Sequence, residues 1–100
     1  MKRGATSTHK FVLPIPTDGL KTIQITYSQN GKIVLQKKNA EIRTDGYELT
    51  TVITQAQSFL FDSRSYVDIQ VRVLTIDDVA FASQPMRTTV SVSLDNEVLI

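Results

Sequence analysis

Tyr66-Val67-Asp68-Ile69-Gln70-Val71-Arg72-Val73-Leu74-Thr75 decides the fold class. Val67, Ile69, Val71 and Val73 alternate with Asp68, Gln70 and Arg72. A period of two is what a β-strand with one buried and one wet face requires. The same pattern recurs on both sides. Upstream, Ile23, Ile25 and Tyr27 share a face, as do Leu49, Thr51 and Ile53 with Tyr47 at their head; downstream, Val90, Val92 and Leu94 share one.

The breaks between these runs set the strand count. Leu13-Pro14-Ile15-Pro16 ends a short strand at 9–13, because proline removes ladder donors, and Thr17-Asp18-Gly19 supplies a turn. Gln29-Asn30-Gly31 reads as a three-residue hairpin loop, which sets Tyr27 opposite Ile33 and Ile25 opposite Leu35. A two-residue Asn-Gly loop would put Ile33 and Leu35 on the wrong face. Residues 39–43 are a weak strand or connector, followed by a turn at Thr44-Asp45-Gly46. Thr54 with Gln57 three residues later has capping-box spacing, which predicts one helical turn over 55–60. Asp77-Asp78 closes a hairpin onto 79–83, and Gln84-Pro85 breaks that strand before a last one over 86–94. Seven or eight short antiparallel strands, one helical turn and no long helix predict an all-β sandwich.

A chain of 100 residues fits one domain with its own core. The expected division is an N-terminal arm over 1–8, ordered by a partner, and a single sandwich over 9–100. No cysteine is present, so neither an inter-sheet bridge nor a thiolate metal site is available. Met1-Lys2-Arg3 looks like the basic start of a signal peptide, but Pro14 interrupts the short apolar run from Phe11 to Ile15. Export by a signal peptide is therefore not expected, and no run reaches the roughly 20 apolar residues of a membrane helix.

Charge is uneven although the net is only +1. Basic residues dominate up to Arg43, and acidic ones dominate beyond it. Either the two halves pair within one domain and interleave their charges, or a positive face of one copy meets a negative face of the next.

No constellation promises chemistry. His9 is the only histidine and lies on the margin of the first strand, a poor place to hold a catalytic base. Asp77 with Asp78 would need several more converging oxygens to bind calcium, and Asp68 with Glu48 reads as two solvated strand carboxylates. The four glycines are isolated, so no phosphate loop exists. Lys32, Lys37, Lys38 and Arg43, with Tyr27 or Tyr47 to stack, would be the residues for nucleic acid; they read better as solvating an exposed strand edge. No catalytic, cofactor or metal residue is assigned, and an enzyme is not expected.

The order of strand 47–54, helical turn, strand 66–75 and hairpin into 79–83 resembles the E strand, E–F corner, F strand and G strand of an immunoglobulin-like sandwich. The wording at Ile25-Thr26-Tyr27-Ser28-Gln29-Asn30-Gly31, Ile53-Thr54-Gln55-Ala56-Gln57-Ser58 and Ile69-Gln70-Val71-Arg72-Val73-Leu74-Thr75 is similar to small virion-associated proteins of tailed phages and prophages of gut Gram-positive bacteria. The layout over 9–94 also resembles the immunoglobulin-like N-terminal domain of phage baseplate upper proteins. The resemblance implies a non-enzymatic subunit of a phage tail, neck or baseplate, made in the bacterial cytoplasm and located in the virion. Its expected partners are other virion proteins and further copies of itself, with no nucleic acid, membrane, cofactor or small-molecule substrate.

Candidate interaction residues are Lys2 and Arg3 in the arm and Val98, Leu99 and Ile100 at the apolar end, which either packs in cis or joins a neighbouring copy. Phe59, Leu60 and Phe61 are expected to close the end of the sandwich beneath the helical turn. The competing reading is a glycan- or surface-binding module using Tyr27, Tyr47 and Tyr66 as platforms.

Overall fold

The alternating run at 66–75 becomes the central ladder of the larger sheet. Our computed structural model describes residues 1–90. Strand β6 (Val67–Thr75) lies antiparallel to β2 (Leu20–Gln29), with Ile23 opposite Val73, Ile25 opposite Val71 and Tyr27 opposite Ile69. These six side chains are all buried and face the other sheet. That second sheet is built from β1 (Ser7–Val12), β4 (Ile42–Asp45) and β5 (Glu48–Ile53), and gives Ile42, Leu49 and Ile53 to the core. Burying an aliphatic side chain of this size stabilises by about 1.5–3 kcal/mol, so the facing rows hold the sandwich without covalent help.

Strand order identifies the architecture. The smaller sheet runs β1-β5-β4; the larger runs from β3 (Lys32–Lys38) through β2 and β6 to β7 (Ala80–Ala82). In immunoglobulin terms these are B-E-D and C′-C-F-G, so the chain is an all-β, immunoglobulin-like sandwich. Eight strands are present among the described residues, β8 (Met86–Thr88) being the last. It pairs with β6 on the edge that β7 also occupies. Between Ala82 and Met86 that edge spends one more residue than β6 does between Arg72 and Ile69, which is a β-bulge. There the Ser83 hydroxyl accepts the Val71 amide at 2.9 Å, and Pro85 has no donor of its own. Of the expected last strand, 86–94, the strand observed covers Met86–Thr88, and Val92 and Leu94 lie outside the described residues.

The Asn30-Gly31 hairpin corrects the expected register. Its loop has two residues, both with positive φ (53° and 76°), as a type I′ turn demands. A bulge between Tyr27 and Ser28 then shifts the pairing, setting Tyr27 opposite Leu35 and Ile25 opposite Lys37. Ile33 is left 58% exposed and Lys37 is carried inside. Its Nζ donates to Gln57 Oε1 at 2.9 Å and to Glu41 Oε2 at 3.4 Å. Gln57 belongs to α1 (Gln55–Ser58), where Thr54 Oγ1 accepts the Gln57 amide and Gln57 Oε1 accepts the Thr54 amide: the expected capping box.

The N-terminal residues are no free arm. Strand β1 begins at Ser7, and the residues before it are fastened to the E–F corner. The Gly4 amide donates to Ser58 Oγ at 2.8 Å, and Gln55 Nε2 donates to the Gly4 carbonyl at 2.9 Å.

Candidate functional site

Lys2 and Arg3 sit side by side in sequence but differ in role. Lys2 is exposed. Arg3 is half-buried; its Nε donates to the Phe61 carbonyl at 3.2 Å and Nη2 to the Phe59 carbonyl at 3.5 Å, with the guanidinium 5.1 Å from the Phe59 ring centre. Arg3 therefore clasps the E–F corner, and Lys2 alone of the pair faces outward. Val98, Leu99 and Ile100 lie outside the described residues.

Beneath that clasp, Tyr27 is fully buried and meets Phe61 edge to face at 5.9 Å, the geometry aromatic rings prefer. Its hydroxyl shares a 2.7 Å hydrogen bond with His9 Nδ1. Burial pushes the Tyr27 phenol up and the His9 imidazole down, the latter with help from the Met1 amino group. Both groups are thus held neutral, and the pair satisfies a polar atom inside an apolar core. Leu60 points away, 57% exposed, while Phe61 closes the core as expected and Phe59 is half-buried.

Other candidate groups are separated by the fold. Glu48 and Asp68 lie in different sheets, and the Asp68 carboxylate accepts from Arg87 Nε at 3.0 Å. Tyr27 and Lys37 are buried, which removes them from any nucleic-acid surface. Tyr47 and Tyr66 are exposed but stand at opposite ends of the molecule, so the three tyrosines form no common sugar platform. No group of three or more His, Cys, Asp or Glu side chains able to hold a metal occurs among the described residues. No described helix is long and apolar enough to cross a membrane.

The surface instead divides by ends. At one end, three connections are laced together: Leu13 N donates to Tyr47 O and Thr17 N to Gly46 O, each at 2.8 Å, and Ile76 N to Gly19 O at 3.0 Å. This end carries Asp18, Asp45, Glu48, Asp77 and Asp78, all exposed, against Lys21, which pairs with Asp78 at 3.5 Å. Among them stand Val12, Ile76, Val79 and Phe81, between 49% and 76% exposed. The other end joins the N-terminal residues, the Asn30-Gly31 turn and the E–F corner. Buried Gln29 ties it by accepting the Asp62 amide and donating to the carbonyls of Asp62 and Ser65. Lys2, Arg3, Lys32 and Arg64 lie here against Asp62, whose carboxyl Arg64 holds below the usual range by hydrogen bonding. Leu60, Tyr66 and Ile33 are exposed beside them. The basic and acidic halves of the sequence pair with each other in space, β1 with β5 and β2 with β6, so each end draws on both halves; no spacing in the sequence could have sorted Lys21 from Lys32.

No family model matches the chain, and no curated protein does. Among solved structures it is similar to Drosophila OTK, extracellular domains 3–5, at 14% identity over 91% of this chain, with a TM-score of 0.39. The chain spans 31% of that chain's length. Strand order by itself assigns the fold here.

Proposed function

We propose that this protein is a non-enzymatic structural component of a phage or prophage virion, in the tail, neck or baseplate, and that it works through protein–protein contacts. One observation carries the contact reading: large apolar side chains, Ile76 at 66% and Leu60 at 57% exposure among them, stand in the open beside exposed charged residues at both ends of a small domain. An apolar centre with a charged rim is the anatomy of a protein interface. The phage setting is supported by the resemblance of the strand and turn wording to virion-associated proteins. The test is to induce particles from a host culture, purify them by density and search them by mass spectrometry. Peptides of this chain at fixed stoichiometry to a tail protein are expected; their absence from particles, with the protein recovered free in the lysate, overturns the proposal.

A further inference from the structure

Complementary ends on one molecule invite a particular partner. We infer that the acidic end of one copy docks on the basic end of another, so that the chain self-associates head to tail. The inference rests on the contact reading above and names the first partner as a second copy of this chain.

Three placements support it. The acidic end gathers five exposed carboxylates against Lys21, with Lys10 and Arg43 one row further along their strands, while the basic end sets exposed Lys2, Lys32 and Arg64 against Asp62, with Asp68 already paired to Arg87. The two ends lie at opposite limits of β2, whose ten residues span about 30 Å, far beyond the screening length of roughly 8 Å at physiological salt. Within one copy the ends therefore do not neutralise each other, and between copies they attract. Each charged end also exposes apolar groups: Ile76, Val79 and Phe81 at one, Ile33, Leu60 and Tyr66 at the other. These supply the desolvated centre, while the charges set orientation and reject like-to-like encounters. Because the two patches differ, the contact is heterologous and generates a ring where the rotation closes or a stack where it does not.

The experiment is sedimentation velocity on the full chain over a concentration series, at about 20 mM and about 500 mM salt. Association that weakens at least about tenfold at high salt is expected. Two variants sharpen it: Asp18→Lys with Asp77→Lys reverses the acidic end, and Lys2→Glu with Lys32→Glu reverses the basic end; circular dichroism checks that each is folded. Each variant alone should be monomeric. Mixed in equal amounts they should associate again, because one retains the native basic end and the other the native acidic end. A wild-type monomer at every concentration, association indifferent to salt, or a mixture that stays monomeric overturns the inference. Virion incorporation is read separately, so a monomer found in purified particles sinks the self-docking and leaves the virion role standing.

Discussion

The two ends of this sandwich are held by different chemistry. At the basic end, side chains do the fastening: Arg3, Gln29 and Gln55 each bind backbone groups of a neighbouring segment. At the acidic end the connections bind one another mainly through backbone amides and carbonyls, helped by the hydroxyls of Thr17 and Thr75, and the charged side chains are left at the surface. The first end is therefore written into particular residues, whereas the exposed charged side chains of the second take no part in its backbone lacing. A surface free to vary in this way is where binding specificity can be installed at little cost to the fold.

Substitutions should expose that asymmetry, strongly at the basic end and weakly at the acidic one. Phe61→Ala opens a cavity against Tyr27 and should cost about 3–5 kcal/mol in urea unfolding. Gln29→Ala leaves the Asp62 amide and two carbonyls without their partner, and should cost about 2–3 kcal/mol by the same measurement. Arg3→Ala loses the clasp on Phe59 and Phe61 at a partly solvated site, and about 1 kcal/mol is expected, with faster amide exchange confined to the E–F corner. An equal effect of Arg3→Ala on all amides would break the comparison.

The His9–Tyr27 bond gives a milder dependence on pH. The folded state holds the His9 pKa below its ordinary 6.5, so above that value both folded and unfolded chains are neutral there. As pH falls through it, the unfolded chain takes up the proton first and stability is lost. Thermal melts from about pH 7.5 to about pH 5 should show the decline, and His9→Gln should flatten it; an unchanged slope removes His9 as its source. Smallest of all, Asp77→Ser at the acidic end should stay within about 0.5 kcal/mol of wild type.

The strands were legible because alternation follows directly from burial of one face. Ile23, Ile25 and Tyr27 on β2, Val67, Ile69, Val71 and Val73 on β6, and Leu49 and Ile53 on β5 are all buried. The Thr54 capping box was legible for a similar reason, as its partners lie three residues apart. The Asn30-Gly31 register was not, since a bulge adds a residue that no pattern of apolar positions announces, and with it Lys37 changed from edge charge to core residue. The Arg3 clasp is not legible in the sequence, because the two carbonyls it binds, nearly sixty positions away, are brought close only by the folded corner. Neither charged end could be read from the sequence, because each is assembled from three connections that lie far apart along the chain.

The interruption at Ser83, Gln84 and Pro85 has a further effect. An unbroken, flat outer strand is a template on which sheets of separate molecules can grow into fibrils. Here that border is cut into two three-residue pieces, one amide is capped by a hydroxyl, and a proline offers nothing to donate. Growth along this border is disfavoured, so copies at high concentration are steered away from fibril formation.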